Sequence, residues 1–181
     1  MRPGARGRGP GAGAAFVVTA VLAVTGCGYH VVGHANVLPK EIRIIAVPEF
    51  RNSTPQAKLP VLLTADVTRE LISRTHYSIV ADPSMADAAL VGVITNFVNY
   101  PIIFDPVSGR ATGVEVVVTL QLTLTDRHTN KVLYSRVGAE FRERYEVALD
   151  PQQYFDESGT AIQRLSRDVA RTVVSGILEN F

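Results

Sequence analysis

The cleanest pattern of apolar and polar positions lies in residues 113–125. Val114, Val116, Val118, Leu120, Leu122 and Leu124 share one face, and Glu115, Val117, Thr119, Gln121, Thr123 and Thr125 share the other. A period of two with one apolar face predicts a half-buried antiparallel strand. After the turn residues 126–130 the chain returns through residues 131–147. There Leu133, Val137, Ala139, Phe141 and Tyr145 alternate with Tyr134, Arg136, Glu140, Arg142 and Arg144. Two such runs joined by five turn residues predict a hairpin. Residues 41–47 (EIRIIAV) form a short β-branched run stopped by Pro48, and residues 77–80 a second short extended piece. Residues 88–100 are apolar without clean alternation, which predicts a strand covered on both faces. Residues 101–112 read as a loop, with Ile102, Ile103 and Phe104 beside Asp105-Pro106 and Ser108-Gly109.

Two segments change period. Leu59, Leu63, Val67 and Leu71 recur every fourth residue, with Pro60 suited to a first helical turn, so residues 59–75 are predicted helical. Leu165, Val169, Val173 and Ile177 form a second stripe, widened by Ile162 and Leu178, and predict a helix over about residues 160–180. The resulting expectation is an α+β two-layer sandwich. A sheet of about four mostly antiparallel strands carries both helices on one face. The opposite face would present Thr119, Gln121, Thr123, Arg136, Arg142 and Arg144 to water or to a partner.

The amino terminus has a different composition. Arg2, Arg6 and Arg8 precede the uncharged, mostly apolar residues 12–24 and then Val24-Thr25-Gly26-Cys27. This is the layout of a secretory signal, too short for a membrane-spanning helix. The last four residues resemble the bacterial lipobox, in which the cysteine thiol receives a diacylglyceryl group and becomes the new amino terminus. The expected organisation is a signal peptide over 1–26, a lipidated tether over 27–40 and one domain over 41–181, with Cys27 as the lipidation site. The remaining 155 residues carry 15 basic and 17 acidic groups, which argues against a nucleic-acid partner. Cys27 is the only cysteine, so neither an intrachain disulfide nor a cysteine-built zinc site is expected.

A search for chemistry returns little. His30 and His34 are four apart, but flanking glycines argue against the helix that would align them on a metal. His76 and His128 read as exposed structural residues. No phosphate-binding loop, nucleophile elbow or paired zinc-ligand motif occurs. Asp105, Asp126, Asp150 and Asp156 fall in turns, where aspartate is common for backbone reasons. No enzyme, metal or non-covalent cofactor is expected. Two features stand out. Ile102, Ile103 and Phe104 suit either a partner or lipid contact or a loop folded over the core. Arg136, Arg142 and Arg144, with Arg110 and Lys131 at strand ends, offer guanidinium forks for phosphates. Glu140, Glu143 and Glu146 are interleaved with them, and a self-paired solvated face competes.

The order of local motifs resembles a known family. Cys27-Gly28-Tyr29 is followed by Leu38-Pro39, the strand from Ile42 to Val47, the loop Phe50-Arg51-Asn52-Ser53-Thr54, and Ala86-Asp87 before a long strand. Asp126 and Asn130-Lys131-Val132-Leu133 then form a hairpin, and an amphipathic helix ends the chain. This resembles the LptE family of outer-membrane lipopolysaccharide-assembly lipoproteins. The resemblance implies a two-helix, four-stranded sandwich on the periplasmic side of the outer membrane. It would be seated in the lumen of the LptD β-barrel as plug and assembly partner, contacting lipopolysaccharide and catalysing nothing. A compact domain of this size is about 40 Å across. A barrel of roughly 26 strands has an inner width of that order, and one of sixteen only about half. Within this implied role, the loop with Ile102, Ile103 and Phe104 is the candidate barrel contact, and Arg136, Arg142 and Arg144 are candidate lipopolysaccharide contacts. The strand-loop IIAVPEFRNST also looks like the start of CsgG-like and penicillin-binding-protein-activator lipoproteins, so a scaffold or regulator lipoprotein is the alternative.

Overall fold

The computed structural model describes residues 38–148 and 157–179. The signal segment, Cys27, His30, His34, Asp150 and Asp156 lie outside the described residues. The order is β1 (Ile44–Ala46), β2 (Arg51–Asn52), α1 (Leu59–Arg74), β3 (Ser78–Val80), a 3-10 turn (Pro83–Met85), β4 (Ala88–Phe104), β5 (Ala111–Asp126), β6 (Val132–Glu146) and α2 (Ser158–Glu179). The class is the α+β sandwich that the periodicities predict. The sheet is larger and more mixed, with six strands in the order β3-β1-β4-β5-β6 and β2 paired to β4 beyond β1. β1 pairs in parallel with β3 and β4, β2 in parallel with β4, and β4, β5 and β6 antiparallel in sequence. The added strands are two or three residues long, too short to show a period.

One face of the sheet carries both helices. Leu90, Ile94, Val116, Val118, Leu120, Leu122 and Leu124 meet Leu63, Val67 and Leu71 of α1 and Leu165, Val169, Val173 and Ile177 of α2 in a single core. Each fully buried aliphatic side chain contributes about 1.5–3 kcal/mol over an exposed one, so the two apolar stripes and this sheet face hold the layers together. The helices run in the same direction. Ser166 Oγ donates to Asp66 Oδ2 at 2.7 Å, and eight residues further along α1 Arg74 donates to Ser175 Oγ at 2.8 Å. Leu38, assigned by the sequence to the tether, is 3% exposed and joins this core with Ile42. On the opposite face, Ala46, Ala86 and Ala89 form a small second cluster with Ile44 and Val80.

Bulges break the alternation that the sequence suggests. Between Ile94 and Asn96 the β4–β5 register slips at Thr95, so Ile94 faces Leu120 but Phe97 faces Val118. The two parities cancel, and residues 88–100 therefore look continuously apolar although only the first half of β4 is buried. A second bulge sets Val137 and the left-handed Gly138 (φ 68°) opposite the single residue Gln121. A glycine is the residue that takes this conformation without strain. Leu120 consequently pairs with Ala139 while Leu122 pairs with Arg136. Tyr134 is buried and Val137 exposed, the reverse of the unbroken alternation.

Candidate functional site

The structure corrects the loop expected at residues 101–112. Ile102, Ile103 and Phe104 belong to β4, and only residues 105–110 turn the chain into β5. The third strand, β6, ends where Glu146 faces Gly113, and Val147 N–H donates to Thr112 O at 2.9 Å. Beyond that point β4 and β5 continue as a two-stranded hairpin, on which every residue from Tyr100 to Arg110 except Asp105 is exposed.

Local chemistry builds this tip. Asp105 Oδ1 accepts from Ser108 N–H at 2.6 Å, Ser108 Oγ–H at 2.7 Å and Val107 N–H at 3.2 Å. These bonds, led by the Ser108 hydroxyl, hold its carboxyl below the usual aspartate range. Gly109, at φ 66°, turns the chain, and its N–H donates to Asp105 O at 2.9 Å. Pro101 is tolerated because this stretch of β4 is an edge on the side away from β5, where a missing N–H breaks no ladder. Ile102 is itself the residue inserted by a bulge between Pro101 and Ile103.

The product is an apolar tip on a polar turn. Ile103 and Phe104 are 57% and 56% exposed, Val107 is 94% exposed, and Tyr100 and Ile102 extend the patch. The segment is not folded over the core; its side chains are exposed. Tyr100 and Val107 are absent from the sequence-derived set. Val107, an apolar residue between Asp105-Pro106 and Ser108-Gly109, is the signal in the sequence that would extend the patch.

The arginine set divides. Arg144 lies directly opposite Glu115 on β5 and donates through Nε to Oε1 at 2.8 Å. Arg142 reaches Glu115 Oε2 at 3.2 Å and Glu140 Oε2 at 2.9 Å. The Arg144 bond first, then Arg142, holds the Glu115 carboxyl below the ordinary glutamate range, and Glu140 with Glu115 raises Arg142. On the helix side of the sheet, Arg164 of α2 donates to Glu143 Oε1 at 2.7 Å and to the backbone oxygen of Arg144 at 3.2 Å. Arg136 lies beyond the Gly138 bulge, opposite Leu122 rather than on the Arg142–Arg144 side. It makes no ion pair among the described residues.

The motif residues quoted from the sequence serve the fold. Asp87 Oδ2 accepts the N–H groups of Arg43 and Ile44, both at 2.9 Å, while Oδ1 meets His128 Nε2 at 3.1 Å. Its carboxyl is held down at about 2, chiefly by the Arg43 N–H. Asp126 caps the β5–β6 turn through His128 N–H at 2.8 Å and Thr129 N–H at 3.2 Å. Asn52 Oδ1 accepts from Thr54 N–H at 3.0 Å, and its amide donates to Gln56 O. Phe50 lies against Gly92 in the core. His128 is exposed, as expected. Among the described residues no cluster of His, Cys, Asp or Glu has metal-binding geometry, and no helix is long and apolar enough to cross a membrane.

Comparison with known proteins agrees with this architecture. A family model described as LptE, Lipopolysaccharide-assembly, matches residues 42–177. No curated protein sequence matches the chain. Protein XCC0632 of Xanthomonas campestris, of family DUF330, is similar in structure with a TM-score of 0.52 at 13% identity, covering 77% of this chain and 85% of its own. Rare lipoprotein B of Shewanella oneidensis gives 0.49 at 12% identity over 75% and 94%. Lipoprotein B of Nitrosomonas europaea gives 0.48 at 19% over 78% and 94%. At 13% identity the likeness to the Xanthomonas protein bears on fold alone.

Proposed function

The chain belongs to the LptE lipopolysaccharide-assembly family, and from that premise we propose that it is an outer-membrane lipoprotein seated in the lumen of the LptD β-barrel. It acts there as plug and assembly partner during lipopolysaccharide insertion. Lipid on Cys27 anchors it at the periplasmic leaflet, residues 27–40 tether it, and the sandwich fills the barrel. The observation that carries this reading is the projecting hairpin. Monomeric domains rarely spend large exposed apolar residues on a strand tip, because each loses its transfer free energy there. Ile102, Ile103, Phe104 and Val107 recover it by docking on a partner. The absence of a catalytic constellation among the described residues is compatible with a non-enzymatic role.

Lipopolysaccharide contact falls first to Arg136. Arg142 and Arg144 are exposed at 58% and 74% of their side chains, but they engage a phosphate in exchange for Glu115 and Glu140. Arg136 has no such carboxylate to leave among the described residues. Gln at Arg136 should therefore weaken lipopolysaccharide binding more than Gln at Arg144. Equal, unweakened binding by all three single variants would remove the assignment.

The experiment for the main reading replaces Ile102, Ile103 and Phe104 with Ser in the full chain. Co-purification of LptD from detergent-solubilised outer membrane should fall at least tenfold while the free domain stays folded. Undiminished co-purification defeats the reading. Recovery of a peptidoglycan synthase or of self-oligomers instead of a barrel would favour the scaffold-lipoprotein alternative.

A further inference from the structure

We propose that the free edge of β4 between Asn96 and Tyr100 is a slot into which the barrel partner inserts a short extended segment by β-strand addition. The inference rests on the reading of this chain as a barrel subunit. β4 is paired along its whole length with β5, but its other edge is occupied only in part. β1 takes Ala88 and Ala89, β2 takes Val93 and Ile94, and no described strand follows. Ile94 O faces this edge, where it accepts from Ser53 N–H at 3.0 Å. The Thr95 bulge shifts the alternation by one residue, so the backbone groups of Phe97 and Asn99 face the same way, and so does the position of Pro101. Proline at that position fits, since it has no N–H to present.

The slot has defined ends. At one stands β2 with Ser53, and at the other Pro101 and the Ile102 bulge. Five residues of β4 lie between them, a length of about 17 Å. A row of unpaired peptide groups is matched by another extended backbone, which supplies donors and acceptors at the same spacing. Side chains add selectivity. On the helix side Phe97 and Asn99 line a cleft of about 240 Å³, walled by Val116, Tyr145 and Ile162, large enough for one side chain of an incoming strand.

A second copy of this chain does not fit. Antiparallel pairing of two β4 edges about Val98 sets residues 102–104 of one copy beside residues 92–94 of the other. β2 already occupies that position through Arg51–Val93 and Asn52–Ile94. The slot therefore selects a segment that can stop short, such as a strand end or luminal loop of a different polypeptide. It is continuous with the apolar tip through Tyr100, so one partner can engage both.

Hydrogen exchange tests this on the full chain, free and in the complex purified from outer membrane. The amides of Phe97 and Asn99 should exchange freely in the free chain and slow by about a hundredfold in the complex. Asn99→Pro, which deletes the edge N–H, should lower co-purification of the barrel, and Asn99→Ser, which keeps it, should not. Equally fast exchange in a complex that does form overturns the slot and leaves the functional reading standing. Slow exchange in the free chain also overturns it, by assigning the edge to this chain's own segments or, if concentration-dependent, to a second copy. If no barrel co-purifies with the native chain, the functional reading fails and the slot with it.

Discussion

Ile103 lies across Gly113, its partner on the facing strand, so closely that a Cβ on the glycine would sit 2.9 Å from Ile103 Cδ1 and 3.0 Å from its Cβ. The glycine thus lets a branched side chain lie over the backbone at the point where the hairpin runs past the end of β6. Gly113→Ala should push the two strands apart there. The expected cost is about 1–2 kcal/mol, read as a lowered midpoint in denaturant, with an Ile103→Ala background restoring most of it. An unchanged midpoint would mean that Ile103 simply swings away.

Gly92 meets the same constraint deeper in the core. A Cβ there would sit 2.6 Å from the Phe50 ring, which is buried and cannot yield as a flexible tip would. Gly92→Ala should destabilise by about 1–3 kcal/mol, seen in thermal unfolding.

Tyr134 carries a buried hydroxyl that has no hydrogen-bond partner among the described residues. It lies close over α2, 3.0 Å from where a Cβ on Gly176 would stand. Removing the hydroxyl relieves an unmet desolvation cost of about 1–3 kcal/mol. Tyr134→Phe is expected to leave stability unchanged or raise it, and a clear loss in a denaturant titration would show that the hydroxyl is satisfied in solution.

Asp87 gives the domain a defined acid sensitivity. Its folded carboxyl titrates at about 2, below the usual aspartate value near 3.9. The stability it contributes is therefore complete above about pH 4 and is lost as the pH falls toward 2. Asp105, Glu115 and Asp126 are also depressed, so the whole chain weakens in acid. Asp87→Asn isolates the one group. The variant should be less stable than the native chain at pH 6, with the difference shrinking as both are titrated toward pH 2. A difference independent of pH would show that the loss is steric.

Much of this fold is legible in the residues. The strand β5 follows its written period from Val114 to Leu124, and the stripes of α1 and α2 end within two residues of their expected limits. The legible elements are those whose one apolar face is set by local repetition. What the periodicity hides are single-residue insertions. The Thr95 bulge makes half of β4 look buried twice, and the Gly138 bulge moves Arg136 away from Arg142 and Arg144. A bulge depends on how two strands meet, and neither strand announces it alone. The tip reads as a loop for a related reason, since Pro101 and Asp105-Pro106 punctuate like one although an edge strand accommodates proline. Its exposed apolar residues were nonetheless visible as a cluster.

In the proposed complex the apolar end of the β4–β5 hairpin lies against the barrel wall. A photo-crosslinking residue at Phe104, introduced into the full chain and activated in intact cells, tests this directly. One dominant adduct is expected, with the LptD barrel. An adduct with a peptidoglycan synthase or with a second copy of the chain, or no adduct with the barrel, would contradict it.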